Sequence, residues 1–398
     1  MDASIREVDK LLALDSGRLL QGHRERFTNR AGSGVPPLVV VGAGQLGQYT
    51  LRRLAAAGRP AVAVSDNNQT LWGKQVEGVR VFSPSEAAAR FGDRATFVIS
   101  IYNTAAAWKQ FATLGCKRVI SYGLLYAGMF DTFLPYYCLD HPSGIASSAE
   151  NIRCALNLFE DEASRREFVA QVRARMLLDF DEVPMPVPDE RRREEYFPSD
   201  LYAVREDEVL LDCGAFDGDT VQRFLKRRGD RFKAIHAFEP DPKTFERLAA
   251  NISALGSECT RKIRTYAIAL AATRGTLTFD ASGTVTTTAS PDGSTRVECD
   301  ALDTILAGVE DPPTLIKMDL EGGEPDALLG ARRLISQHAP VLAVTVYHRQ
   351  DHLWRLPLLM REFSPDFRFF LRAHAEACWD VSCYAVPRNR VVNVGTRA

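Results

Sequence analysis

Asp212, Glu239 and Asp319 are the acids that this sequence places best for chemistry. Each closes an apolar run that reads as a strand: "VLLD", "AIHAFE" and "TLIKMD". In an open α/β sheet, the carboxyl end of a strand is the edge where ligands bind. Around the first acid, "VLLDCGAFDGDTVQRFL" (residues 209–225) has the pattern D-x-G-x-x-x-G-x-T, with Gly214, Gly218 and Thr220. Glycine lets the backbone approach a ligand closely and take positive φ. An acid ahead of the glycine would repel a pyrophosphate. It would attract the amine and sulfonium of S-adenosylmethionine (SAM). Glu239 follows 27 residues later, where a carboxylate can accept from both ribose hydroxyls. Alone, either acid is an ordinary turn or surface group. Two of them, in register on consecutive strand ends, point to a nucleoside ligand.

The third acid belongs to a crowd. "PPTLIKMDLEGGEPDALLG" brings Lys317, Asp319, Glu321 and Glu324 to one strand end and the start of the next helix. Clustered carboxylates suit a general base beside a hydroxyl, or a hard cation such as Mg held by Asp319 and Glu321. Glu324 reads more simply as a first-turn acid that favours the helix dipole. His348 follows the run "VLAVTVY" and so reaches the same rim, where an imidazole can take a proton near neutral pH. His352 is the weaker candidate and is assigned to the following helix.

An earlier glycine turn, "PLVVVGAGQLGQYTLRRL" (37–54), completes G-x-G-x-x-G with Gly42, Gly44 and Gly47. Asp66 ends the next strand, in the place of the ribose-binding acid of a dinucleotide fold. No catalytic constellation accompanies it. Three readings stay open: a nucleotide or nucleotide-sugar site that helps select an acceptor, a scaffold or dimerisation module, and an NAD(P)-dependent oxidoreductase.

These residues need two separate α/β units to carry them. Residues 1–35 read as an N-terminal helix and connector. Strand and helix signals alternate over 36–125, a small Rossmann-like domain. The aromatic, then charged, then proline-interrupted stretch 126–205 reads as a helical bridge and linker. Within it, the run Arg191 to Glu195 reads as a solvated face. From 206 to 398 a second alternation begins. The fold class expected is therefore α/β, two doubly wound Rossmann-like domains joined by a helical bridge. The 398 residues suffice for that, and 45% hydrophobic against 25% charged content is globular. With 49 basic and 51 acidic residues there is no nucleic-acid signal. The amphipathic start lacks a signal peptide's apolar core, and no window reaches membrane-span length. A cytoplasmic location is expected, and self-association is left open. The eight cysteines form no C-x-x-C pair and read as buried thiols in a reducing compartment.

Over residues 196–387 the chain resembles the FkbM-type family of SAM-dependent O-methyltransferases. The stretches that carry the likeness are "YFPSDLYAVREDEVLLDCGAFDGDT", "AFEPDPKTFERLAANI", "AIALAATRGTLTF", "CDALDTIL", "LIKMDLEGGEPDALLGARRLI" and "LAVTVYHRQDHLWRLPLLM", in that order. The resemblance implies that the second domain has a SAM-dependent methyltransferase fold. It implies methyl transfer to a hydroxyl, often on a sugar of a surface glycan or secondary metabolite, hence polysaccharide biosynthesis. SAM-site roles carry over to Asp212, Gly214, Gly218, Asp219, Thr220 and Glu239. Ala215, Phe216 and Asp217 along the loop and Asp241 beyond Glu239 join that set. The family's K-x-D-x-E-G-x-E pattern falls on Lys317, Asp319, Glu321, Gly322 and Glu324, and its Tyr-His pair on Tyr347 and His348. The catalytic set is thus Asp319, His348, Glu321 and Lys317, with Asp319 or His348 as base. Where relatives read "RHY…E", this chain has Arg372, Ala373 and His374, with Asp380 in the acid's place, in a region expected to face the acceptor. The first domain resembles the nucleotide-sugar-binding domain of sugar acyltransferases, on "GAGQLGQYTLRRL…AVSDNNQTLWGKQVEGVRVFSP". The alternative for the whole chain is a non-catalytic protein that binds a nucleotide or glycan.

Overall fold

The computed structural model describes residues 3–32, 34, 36–102, 104–178, 189–279, 295–375 and 378–392, and these alone are discussed. The first part of the proline-interrupted connector, 183–188, lies outside them. The chain forms two compact units from alternating segments. The first takes Met1–Glu150, Val169–Val187 and Ala375–Trp379; the second takes Asn151–Phe168, Pro188–His374 and Asp380–Ala398.

The first unit has one sheet. Its strands are β1 (Leu38–Val41), β2 (Ala63–Ser65), β3 (Gln75–Val76), β4 (Val79–Phe82), β5 (Thr96–Ile99) and β6 (Val119–Ser121), in the order β3-β4-β2-β1-β5-β6. β1 is "LVVV", buried at all four positions and parallel to β2 and β5. Strands covered on both faces read as unbroken apolar runs, which made them visible in the sequence. Two helices, Ala3–Leu12 and Ser16–Ala31, stand where one was expected, because Asp15 caps the second by accepting from Arg18 N.

The stretch 126–205, expected as a separate bridge, is divided between the units. Its aromatic first part belongs to the first unit, where Tyr126 stacks on Phe133 at 4.4 Å. Burying large aromatic area outweighs any linker character that the turn residues suggest.

The second unit has ten strands: β7 (Val209–Cys213), β8 (Ala234–Phe238), β9 (Ile263–Tyr266), β10 (Ala269–Leu270), β11 (Gly275–Phe279), β12 (Thr295–Asp300), β13 (Leu315–Met318), β14 (Val341–Thr345), β15 (Phe367–Ala373) and β16 (Val381–Pro387). Seven make the main sheet, β15-β16-β14-β13-β7-β8-β9; β10, β12 and β11 make a small second one. β7, β8 and β9 are laid down in one direction and β13 and β14 in the other. The reversal between β7 and β13 is the switch point where such sheets open a ligand crevice.

Two details differ from expectation. "RTYAIAL" is two strands, β9 and β10, in different sheets. "VSCYAVP", read as part of an acceptor-facing region, is β16, buried at all seven positions and antiparallel between β14 and β15. It follows directly on Asp380, at φ 47°, and adds a strand that the sequence reading did not assign.

Candidate active site

The switch point positions the first ion pair. Parallel register sets Asp212 on β7 opposite Lys317 on β13, so their side chains share a face. Lys317 Nζ lies 3.1 Å from Asp212 Oδ1 and donates to Gly214 O at 2.5 Å. Burial pushes the Asp212 carboxyl up to about 6, with Lys317 pulling it down. Burial also opposes the Lys317 charge, but Asp212 and Asp319 outweigh it and hold the ammonium above its ordinary range. A permanently charged ammonium has no lone pair for a proton. Lys317, expected among the catalytic groups, pairs with Asp212, which therefore does not present a bare charge. Gly214 has φ 82°, and a Cβ there would lie 2.0 Å from Asp319 O. Asp319 N donates to Cys213 O at 3.0 Å, so the glycine turn and Asp319 are direct neighbours.

Glu239 stands at the end of β8. Its Oε2 accepts from Phe216 N at 3.0 Å and its Oε1 from Asp241 N at 2.9 Å. Burial pushes its carboxyl up to about 7. Each oxygen keeps a second lone pair. Asp241, expected on the cofactor, caps the helix Pro242–Ser253 by accepting from Thr244 N. Along the loop, Ala215 and Thr220 are buried, Asp217 O accepts from Asn251 Nδ2 at 2.8 Å, and Asp219 pairs with Arg223 at 3.5 Å.

At the ends of β13 and β14 the acids and histidines form a line. Glu324 Oε1 accepts from Leu320 N at 2.8 Å and from His348 Nδ1 at 2.7 Å; its Oε2 is 3.3 Å from His352 Nδ1. His348 Nε2 faces Asp319 Oδ1 at 3.3 Å and Glu321 Oε2 at 3.7 Å. Burial works against the charge on His348, but Glu324, Glu321 and Asp319 outweigh it and push the imidazolium up to about 10. Burial likewise opposes the Glu324 charge, and the two histidines outweigh it, holding the carboxyl well below its usual range. Glu324 opens the helix Glu324–Gly330 as expected, but it does more than favour a dipole. His348 is the group expected as an alternative base, and these carboxylates favour its charged form. Exposure separates the roles: the side chains of Glu324 and His348 are 0% exposed, that of Asp319 is 24% and that of Glu321 18%. Asp319 is the most exposed member of the line, with His348 Nε2 beside its Oδ1.

Glu195 and Tyr196 escaped the sequence reading. Glu195 was placed on a solvated face, yet it is buried and paired with Arg223. Burial, with Asp380 adding to it, pushes its carboxyl up to about 7. Tyr196 donates its hydroxyl to Asp319 Oδ2 at 2.7 Å. The available signal was the abrupt change from "RRREE" to "YF" ahead of the first strand. Of the residues expected to face an acceptor, Arg372 is engaged by Asp161 at 2.7 Å and Asp200 at 2.9 Å. His374 is bonded to Arg191 O and the Tyr384 hydroxyl. Asp380 is pushed up to about 6 by burial and by the Asp319 charge.

Residues 212–374 match the family model described as the methyltransferase FkbM domain. That stretch is a methyltransferase FkbM domain. The FkbM domain spans both ion-pair systems above, from Asp212 through His348; Glu195, Tyr196 and Asp380 lie beyond it. A solved methyltransferase FkbM from Methylobacillus flagellatus KT is 21% identical, over 96% of this chain and 98% of its own, with a TM-score of 0.74. The fold of the whole chain, both units included, is thus seen in a second protein. A precorrin-6y C5,15-methyltransferase from Geobacter metallireducens GS-15 is 10% identical, over 50% of this chain and 85% of its own, with a TM-score of 0.30. A search of curated proteins finds no match. Among the described residues, no helix is long and apolar enough to cross a membrane.

In the first unit, the expected nucleotide-type turn has a related geometry. Asp66 Oδ2 accepts from Ala43 N at 2.7 Å and its Oδ1 from Asn68 N at 2.7 Å, the pattern that Glu239 makes with Phe216 N and Asp241 N. Gly42 has φ 104°, a Cβ on Gly47 would meet Gly42 O at 1.9 Å, and Gly44 faces open space.

Proposed function

We propose that this methyltransferase is SAM-dependent and methylates a hydroxyl, on a sugar of a surface glycan or secondary metabolite, with Asp319 as general base. The observation that carries the reading is the partly exposed end of the Glu324–His348–Asp319 line, set directly against the glycine turn. The residues suit SAM. Asp212 Oδ1 is engaged by Lys317, and its Oδ2 receives no hydrogen bond among the described residues, which leaves an acceptor for an amine. Glu239 keeps lone pairs for ribose hydroxyls, and its grip on Phe216 N holds the loop in shape. When bound, SAM would supply the methyl group from its sulfonium, the carbon–sulfur bond breaking and a neutral thioether leaving. Asp319 takes the proton of the acceptor hydroxyl as the new oxygen–carbon bond forms. His348, already protonated, steadies the Asp319 carboxylate and gives up nothing. Holding the reacting atoms in line contributes much of the rate.

A metal reading has one observation behind it: donor atoms of Asp319, Glu324 and His348 lie within 4.8 Å of one another. That trio shares Asp319 with the expected pair, Asp319 and Glu321. We favour proton transfer, because a cation there would have to displace the His348 proton. Labelled SAM incubated with the full chain and glycan extracts tests both readings. Transfer is expected, undiminished after EDTA. With Glu239→Ala, calorimetry should show SAM affinity lower by about 10- to 100-fold, the scale of a lost charge-assisted hydrogen bond. No label transfer with any extract, or unchanged affinity in the variant, would sink the assignment.

For the first unit we propose a nucleotide or nucleotide-sugar site on Gly42, Gly44, Gly47 and Asp66, supported by the Asp66 geometry. Titrating the full chain with NAD, NADH, UDP-sugars and dTDP-sugars should show binding that Asp66→Ala abolishes. Binding of none of them favours a scaffold.

A further inference from the structure

Tyr196 touches both halves of the site. Its hydroxyl donates to Asp319 Oδ2 at 2.7 Å, and its ring lies 5.2 Å from Lys317 Nζ, the cation that pairs with Asp212. Burial and the Asp319 charge hold its phenol far above the ordinary range, so it remains a donor and never a base. Few side chains are fixed so firmly. Tyr196 N donates to the Tyr384 hydroxyl at 3.2 Å, and Tyr196 O accepts from the Tyr202 hydroxyl. His374 extends the anchor. Arg191 O can only accept, so His374 Nδ1 carries the hydrogen and Nε2 accepts from Tyr384 at 2.8 Å. Burial depresses His374 to about 4, which keeps that neutral tautomer. On the other side, Glu195 is paired with Arg223, on the helix that follows the glycine turn. The backbone of Tyr196 itself is at φ 65°, a conformation costly for a bulky residue and kept only where the surroundings impose it.

We propose that Tyr196 is a positioning residue for the transfer step, fixing the plane of the Asp319 carboxylate from the side opposite His348. Asp319 is then held at both oxygens, by Tyr196 on Oδ2 and by His348 on Oδ1. Its remaining lone pairs are confined to the direction from which an acceptor arrives. Tyr196 precedes the matched residues 212–374 but belongs to the same compact unit as Asp319, so the hold on the base comes from the segment that leads into β7.

The inference rests on Asp319 being the base, and its test is built to be separable. Tyr196→Phe in the full chain keeps the ring over Lys317 and both backbone anchors, and loses only the O–H. The expected result is a kcat lower by about 10- to 100-fold with the KM for SAM within twofold. The acidic limb of the kcat–pH profile should move to higher pH, because a charged carboxylate has lost a donor. An activity-free readout is the carboxyl carbon resonance of Asp319, assigned with Asp319→Asn, which should titrate at higher pH in the variant. A merely structural Tyr196 would lower thermal stability and leave limb and resonance in place; that result overturns the proposal. Should Tyr196→Phe not fold, Tyr202→Phe loosens the Tyr196 carbonyl, and the same shift is expected at smaller size. Wild-type protein that transfers no methyl group would overturn the methyltransfer reading alone, because the resonance still reports on Tyr196.

Discussion

Asp319→Asn is expected to lower kcat by about 10²- to 10⁴-fold, the usual contribution of a positioned base, while SAM affinity stays within a few-fold. The two readouts separate because Asp319 stands at the rim and Asp212 and Glu239 hold the cofactor side. Asn fills the same volume and can still accept from the Tyr196 hydroxyl, so the fold has no reason to change. Its amide nitrogen, if turned toward His348, would meet a protonated ring instead of a negative charge, and one carboxylate leaves the set that keeps His348 charged. Steady-state kinetics with the best acceptor, alongside calorimetry with SAM, checks the outcome. A kcat within threefold of wild type would show that the proton leaves by another route.

Glu324→Gln should cost the protein about 3–5 kcal/mol, the range for removing one partner of a buried ion pair. Both members are 0% exposed, so water does not screen the loss. The variant strips His348 of its nearest carboxylate and leaves Leu320 N with an amide oxygen in place of a charged acceptor. The pH dependence gives a second signature. His348 is raised in the folded state, from the ordinary histidine range to about 10. Its contribution is therefore complete below about pH 6.5 and is lost as pH rises through 10. Glu324 is lowered, so its contribution is present above the ordinary carboxylate range and fades as pH falls through its depressed value. Thermal melting of the wild type should thus weaken between pH 7 and 10, and in Glu324→Gln that slope should flatten. A variant as stable as wild type, with the same alkaline slope, would mean that His348 is not charged.

The acids on strand ends were legible because position follows from run length. A strand covered on both faces is mostly apolar up to its carboxyl end, so an acid late in "VLLD" or "LIKMD" marks the ligand edge of the sheet. Asp212, Glu239 and Asp319 came directly from that rule, and so did the rim position of His348. What their neighbours do to them was not legible. The charge on His348 depends on carboxylates from three positions around one loop, and no linear pattern reports distances of 2.7 or 3.3 Å. Lys317 looked catalytic beside Asp319 until strand register placed it opposite Asp212. Glu195 looked solvated because a charge run usually is, and only the fold supplies Arg223 as its partner. β16 was missed for a different reason: seven buried residues show no alternation, and the glycine-free turn before them carries no familiar signal.

The alternating path of the chain has a consequence for how the protein is made. Six segments, shared in turn between the units, mean that the first unit is not complete until residue 379 has been synthesised. Domains usually fold as the ribosome releases them, N-terminal first. Here the strands of the first sheet all lie within residues 38–121, but the unit's last segment is translated only after most of the second unit. A truncation after residue 205 yields neither half intact, since it also strips Asn151–Phe168 from the second. The two units are one gene product in a strict sense: each finishes only when the other is nearly finished.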